Sequence, residues 1–482
     1  MSSAIGAVFG ILILIFSSIS QSQVSEKKIS EWQEKINKTL SRSKISKSEM
    51  SLYISSDPTG KQPIFSLNES KKVIPASVTK IATSAMVLDQ LPPGTKFKTQ
   101  ILSAGKIKGD TLVGDIFLKG GGDPSFVSEN MWVLVNNFLR TRIKSIDGDI
   151  VVDDSLFDQS RFDSSRQEQR VDRAYDAPTG AMSFNWNSVN VYIRPADKVG
   201  EAATVIADPE NEYIQLHADV QTVAAGTANS LAVDRSSSTN SEGDAITVKG
   251  KISIGSKEIT VYKNITRPDI WSGYNLRSFL KQRGIIVKGK IRNGITNEKS
   301  LLLAEVESKP VELILSDMNK FSNNYVAEML AKNAAALTLK PGTVVHAMEL
   351  ISDLMQKIGV KKSDFDLKNP SGLTNENRMS AYALWQVLNY EKNHFQVQPE
   401  FATTLPIAGV DGTLKKRFKD QNYERKVRAK TGSINGVVSL AGYVAGPSGE
   451  MIPFAMMYNG TDDENAVRAL FDDICKVIIA KD

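Results

Sequence analysis

Pro75-Ala76-Ser77-Val78-Thr79-Lys80 opens a long apolar run, and its reading decides what fold and what chemistry the rest of the chain must supply. Proline has its φ preset for a helix start and lacks an amide hydrogen that the first turn could not use. Ile81, Ala82, Ala85, Met86 and Leu88 then recur at helical spacing until Leu91-Pro92-Pro93-Gly94 stops the run. Residues three apart share a helix face, so Ser77 and Lys80 point the same way. The hydroxyl lies near the positive end of the helix dipole, and the amine is close enough to take its proton. Ser-x-x-Lys is a cheap pattern, however, and also fits Ser25 with Lys28, Ser41 with Lys44, Ser103 with Lys106 and Ser278 with Lys281. Of these copies, the Ser77 one opens an apolar helix able to sink a lysine stem into low dielectric, where the neutral, basic amine is favoured.

A chain of 482 residues exceeds one compact core and predicts two or three domains. With 41% hydrophobic and 23% charged residues it is neither disordered nor a polytopic membrane protein. A net charge of +5, without a basic cluster interleaved with aromatics, argues against nucleic acid as a partner. From Ala4 to Phe16 the chain is almost wholly apolar, and small residues follow around Ser20 and Ser22. This reads as a signal peptide over residues 1–23 and an exported, periplasmic protein. The run is short for a membrane helix, which needs about 20 apolar residues, but no Lys or Arg precedes it, so an uncleaved anchor stays open. The lone Cys475 forms no internal disulfide. His217, His346 and His394 lack ligand spacing, so neither a metal nor a cofactor is expected. Gly120-Gly121-Gly122-Asp123-Pro124 reads as a tight turn, since no Gly-Lys-Ser/Thr follows to make a phosphate loop.

Ile29, Trp32, Ile36 and Leu40 mark the apolar face of a first helix. Its cations Lys27, Lys28, Lys35, Lys38 and Arg42 suit peripheral contact with an anionic membrane surface, although Glu26, Glu31 and Glu34 dilute them and favour a solvated face. Strands over Ser51–Ile54 and Pro63–Leu67 follow, joined through Asp57-Pro58-Thr59-Gly60. Beyond Pro93 come short strands such as Thr111–Leu118 and Asp149–Val152, and residues 183–292 read as nearly all β, broken by a polar loop over Asp234–Asp244. Helical signal returns from Pro310 to about Leu337, then over Val344–Ile358 and Ala381–Tyr390. A strand ending in Lys430-Thr431-Gly432-Ser433, strands over Val437–Val444 and Ile452–Tyr458, and a helix from Glu464 to Ala480 close the chain. The fold class is therefore α+β, one sheet covered by helices.

Ser77-x-x-Lys80, Ser322-x-Asn324 and Lys430-Thr431-Gly432 stand in that order, the first two opening helices and the third ending a strand. Ser-x-Asn alone is weak and recurs at Ser66 and Ser183. Together the three match the motif set of penicillin-binding proteins and serine β-lactamases. More than two hundred residues separate Ser77 from Ser322, which demands a large insertion. With this spacing and the phrases Gly120-Gly121-Gly122-Asp123-Pro124, Ser371-Gly372-Leu373, Asn377-Arg378 and Leu405 to Leu414, the chain resembles the D-Ala-D-Ala carboxypeptidases of the low-molecular-mass class C penicillin-binding proteins, peptidase family S13.

That resemblance implies a transpeptidase-like catalytic domain over residues 24–96 and 293–482, split by an inserted domain that begins at 97–182 and itself hosts a β-rich domain within 183–292. Its expected activity is serine-type D-Ala-D-Ala carboxypeptidase and DD-endopeptidase, acting on peptidoglycan stem peptides and acylated by β-lactam antibiotics. A peptide carbonyl needs a nucleophile, a base that is neutral when it must accept, a proton path to the leaving amine and donors for the oxyanion. Ser77 is the expected nucleophile, Lys80 the base, Ser322 the proton relay, Lys430 a neighbouring positive charge, and Asn324 a partner for a substrate amide. The resemblance adds Thr431 and Ser433 as holders of the terminal carboxylate, and the backbone amides of Ser77 and Ser433 as the oxyanion hole. A serine β-lactamase and a non-catalytic peptidoglycan-binding protein on the same fold are the competing readings. The long insertion disfavours the former, and three intact motifs disfavour the latter. In one place the chain departs from its relatives, which often carry an arginine two residues after Ser-Gly-Leu to meet a diaminopimelate carboxylate; here that position is Asn375.

Overall fold

The structure, a computed structural model, describes residues 24–166, 172, 176–237 and 243–480. The signal-peptide reading and the tip of the expected 234–244 loop fall outside these residues. A five-stranded antiparallel sheet organises the catalytic half, in the order Phe65–Leu67, Met50–Ile54, Met451–Asn459, Val437–Ala445, Val427–Ile434. Both long inner strands are buried along nearly their whole length, because each face carries helices. Alternate residues serve alternate faces. Leu440, Val444, Phe454 and Met456 pack with Trp32, Ile36 and Leu40 of the helix Glu26–Arg42 and with Phe471 and Ile474 of the helix Glu464–Ile479. Ala441, Tyr443, Ala455 and Met457 instead meet the helices Thr79–Gln90, Asn324–Thr338 and Ala381–Asn393. The architecture is the α+β one, a sheet covered by helices. The first helix buries its apolar face as its spacing predicts, leaving Lys35, Lys38 and Arg42 exposed along a groove that Tyr423 and Leu470 help to line.

Between Leu91 and Val311 the chain builds a second body with its own core, including Phe126, Phe138, Phe184, Tyr213 and Trp271. One sheet runs Ile291–Asn293, Ile150–Asp153, Ile116–Lys119, Lys98–Ser103, Leu301–Glu307, and a four-stranded sheet lies beside it in sequence. Two three-stranded sheets from the span 188–264 extend it. The sequence reading ended the insertion at 292, yet Leu301–Glu307 pairs with Lys98–Ser103 and so belongs to the inserted sheet. Thr111–Leu118, read as one strand, is two, Thr111–Val113 and Ile116–Lys119, in different sheets. Gly114, at φ 133°, allows the break. Asp234 lies within the strand Ser230–Ser237, so the polar loop is shorter than its composition suggests.

The helical signal from Pro310 to Leu337 likewise divides, into Val311–Phe321 and Asn324–Thr338. Ser322 ends the first with left-handed φ 57° and ψ 37°, and the Asn323 side chain caps the second by accepting from the Val326 amide. The interruption places Ser322 and Asn324 on a bend, where their side chains reach across to the Ser77 helix and the Lys430 strand.

Candidate active site

Ser77 lies on a single 3-10 turn, Ala76–Val78, ahead of the helix Thr79–Gln90. Ala76 has φ 51°, a conformation that costs an L-residue roughly 1 kcal/mol and that its surroundings must hold. Thr79 Oγ1 donates to the Ala76 carbonyl at 2.8 Å and accepts from Asn377 Nδ2 at 3.3 Å. Two glycines let other elements close on this turn. A Cβ on Gly372, itself at φ 75°, would stand 2.0 Å from the Ala76 carbonyl oxygen. On Gly432 it would stand 2.8 Å from the Pro75 oxygen and 3.1 Å from the Ser77 nitrogen. The Lys430-Thr431-Gly432 strand thus runs directly beside the Ser77 backbone amide.

Lys80 is 0% exposed. Its Nζ lies 3.2 Å from Ser77 Oγ, 2.7 Å from Asn324 Oδ1 and 2.5 Å from the Ser371 carbonyl oxygen. Burial above all, then the charges of Lys430 and Arg166, pushes the amine well below the ordinary lysine range, and Glu328 opposes them. Lys430, also fully buried, donates to Ser322 Oγ at 2.8 Å and to its neighbour's carbonyl at Thr431 at 2.7 Å. Burial lowers its amine to about 7. Two buried lysines, each with its amine held below the ordinary lysine range, therefore bracket two serine hydroxyls. On the solvent side, Thr431 Oγ1 bonds Thr413 Oγ1 at 2.8 Å, and Ser433 Oγ accepts from Arg468 Nη2 at 2.9 Å. Arg468 is in turn paired with Glu464 at 2.5 Å.

All seven residues singled out by sequence are thereby in two linked groups and one rim position: Ser77, Lys80 and Asn324; Ser322, Lys430 and Thr431; and Ser433. Three of the competing Ser-x-x-Lys serines are engaged in local structure. Ser25 Oγ caps a helix by accepting from the Lys28 amide, Ser41 Oγ donates to the Asn37 carbonyl, and Ser103 Oγ donates to that of Asp115. Sequence reasoning missed Thr413, the Ser371 carbonyl, Glu328, Arg166 and Arg468. Thr413 and Ser371 lie inside phrases already conspicuous, and Glu328 sits one helical turn beyond Asn324. Arg166 and Arg468 carried no local signal. Among the described residues no cluster of three or more His, Cys, Asp or Glu side chains could hold a metal ion.

The profile of the family described as "D-Ala-D-Ala carboxypeptidase 3 (S13) family" matches residues 32–477. The chain belongs to that family. As an S13 member it is a serine-type D-Ala-D-Ala carboxypeptidase, a hydrolase. It is 28% identical over 463 residues to a D-alanyl-D-alanine carboxypeptidase of Actinomadura sp. (strain R39), covering 93% of this chain and 85% of the relative. It is 27% identical over 412 residues to the D-alanyl-D-alanine carboxypeptidase DacB of Haemophilus influenzae, covering 85% of each. The S13 fold extends to solved structures. The crystal structure of penicillin binding protein 4 (dacB) from Haemophilus influenzae superposes with a TM-score of 0.77 at 24% identity, over 92% of this chain and 97% of that one. A predatory peptidoglycan endopeptidase from Bdellovibrio bacteriovorus shares the fold with a TM-score of 0.52 at 19% identity, over 89% and 91%.

Proposed function

We propose that Ser77 attacks the penultimate D-alanine carbonyl of a peptidoglycan stem peptide, with Lys80 as its base. The observation that carries this is the fully buried Lys80 amine, 3.2 Å from Ser77 Oγ. A neutral amine has two hydrogens and one lone pair. With the hydrogens directed at Asn324 Oδ1 and the Ser371 carbonyl, the lone pair is left for the Ser77 proton. Attack forms the Ser77 Oγ–C bond, and the oxyanion settles between the backbone amides of Ser77 and Ser433. Collapse breaks the C–N bond, and Ser322, in contact with Lys430, relays a proton to the departing D-alanine nitrogen. Water then adds to the acyl-serine, returning the hydroxyl and releasing the shortened peptide.

Thr431 and Ser433 hold the substrate's terminal carboxylate, and Arg468, already on Ser433, adds the charge such an anion needs. Asn324 keeps an amide NH₂ for the peptide backbone. A cross-link between stem peptides presents the same D-alanine acyl group on a different amine, so the site also serves as a DD-endopeptidase. A β-lactam enters by the same attack and stays as an acyl-enzyme. Such an enzyme works outside the cytoplasm, in the periplasm, which the apolar segment over Ala4–Phe16 suits. The test is incubation with a stem peptide ending in D-Ala-D-Ala, with a purified cross-linked muropeptide dimer and with a penicillin. Free D-alanine and monomeric muropeptide are expected, with slow release of the penicilloyl group. Rapid penicillin turnover without D-alanine release would mark a β-lactamase, and neither product would mark a binding protein.

A further inference from the structure

Behind Lys80 lies a buried ion pair that the reaction steps above do not use. Arg166 comes from the insertion, and its side chain is 3% exposed. It donates to Asp176 Oδ1 at 2.8 Å and, through Nη2, to Glu328 Oε1. Glu328 is 1% exposed and lies on the Asn324–Thr338 helix, one turn beyond the Asn324 that touches Lys80. The same Glu328 oxygen accepts from Asn369 Nδ2 at 3.2 Å, and Ser371 Oγ, 3.4 Å from Glu328, donates its hydrogen to Asn369 Oδ1 at 2.5 Å. Asn369 Oδ1 in turn accepts from the Ser371 amide at 2.8 Å. Ser371 is the residue whose carbonyl takes a hydrogen from Lys80. The insertion is seated on this loop a second time, where Thr374 Oγ1 donates to the Ser165 carbonyl at 2.7 Å.

A buried ion pair is a poor way to stabilise a fold, because desolvating two charges costs about as much as their attraction returns. Its place beside the base gives it another use. The charged groups facing Lys80 are Lys430 from the edge strand, Glu328 from the Asn324–Thr338 helix and Arg166 from the insertion, with Asp176 behind Arg166. We infer that Arg166 and Glu328 are positioning residues: they hold the Ser371 carbonyl on Lys80 and set the charge balance around its amine, so that the inserted segment completes the catalytic base. The signs are opposite. Arg166 disfavours protonation of Lys80, and Glu328 favours it.

This inference rests on Lys80 acting as the base. It is tested by the pH dependence of the second-order rate of acylation by a fluorescent penicillin, whose acid limb follows loss of the Lys80 proton in the free enzyme. Removing a nearby cation in Arg166→Met should move that limb up by about 1 pH unit, and so slow acylation about tenfold below it. Glu328→Gln, nearly isosteric, should move it down. Arg166→Lys, which keeps the charge, should restore the wild-type limb. Thermal unfolding confirms that each variant folds, and Glu328→Gln decides alone should Arg166→Met fail to do so. Limbs that coincide with wild type in folded variants, whatever their rates, would overturn the inference and leave the pair a structural one. If Lys80→Ala acylates normally, the proposed role of Lys80 fails instead, which keeps the two failures distinct.

Discussion

Asn375 is exposed on the loop that follows Ser371-Gly372-Leu373, at the position where the family resemblance leads one to expect an arginine. Asparagine brings no charge, so a charge-assisted contact to a diaminopimelate carboxylate is lost, a difference of about 1 to 2 kcal/mol. The nearby cation, Arg378, has its Nη1 turned onto its own loop, where it donates to the carbonyls of Asn375 and Asn377 at 2.6 and 2.9 Å. Rates on D-Ala-D-Ala peptides containing diaminopimelate or lysine should therefore differ by less than about tenfold, the ratio that 1.4 kcal/mol gives. A larger preference for diaminopimelate in steady-state kinetics would contradict this. At this scale sequence was most informative where chemistry restricts residue type: two serines, two lysines and an asparagine stand in order, and the structure brings their side chains into contact. Arg166 and Arg468 were not legible, since a lone arginine at either position is indistinguishable in sequence from a solvated surface charge.

Among elements, the turn bearing Ser77 depends on glycines in two other segments. At Gly372 both the positive φ and the 2.0 Å approach to the Ala76 oxygen forbid a side chain. Gly372→Ala should destabilise the protein by roughly 2 kcal/mol and, by displacing the Ser77 turn, slow penicillin acylation about 100-fold. Wild-type acylation in a folded Gly372→Ala variant would show that this packing does not position the serine. Ser322-Asn323-Asn324 reads in sequence as opening a helix, and the structure starts one at Asn324; nothing in a serine announces the left-handed conformation that ends the preceding helix there. Strand existence was easier to read than strand membership. Thr111–Val113 and Ile116–Lys119 alternate as one strand would, and their separation into two sheets depends on tertiary pairing.

For the molecule as a whole, the role proposed for Lys430 opposes stability. Its amine is held at about 7 by burial, against an ordinary 10.5, so below that value the folded state carries a buried charge that the unfolded state solvates. The unfolded chain binds the extra proton between those two values, and stability from this group therefore rises with pH across them and is lowest below the folded value. Lys430→Met should stabilise the protein by roughly 2 kcal/mol near pH 6, with a smaller gain near pH 10, while abolishing peptidase activity. Equal shifts in melting temperature at both pH values would contradict that reading. A split α+β domain was legible because its strands and helices fall at the two ends of the chain. The far edge of the insertion was not, since Leu301–Glu307 reveals its sheet only by pairing with Lys98–Ser103, some two hundred residues earlier. The central claim, that Ser77 is the nucleophile activated by Lys80, is tested most directly by peptide mapping of the protein after brief exposure to a penicillin. A single adduct on the Ser77 peptide is predicted, absent in Ser77→Ala and Lys80→Ala. An adduct on Ser25, Ser41, Ser103 or Ser278, or labelling that survives Ser77→Ala, would contradict it.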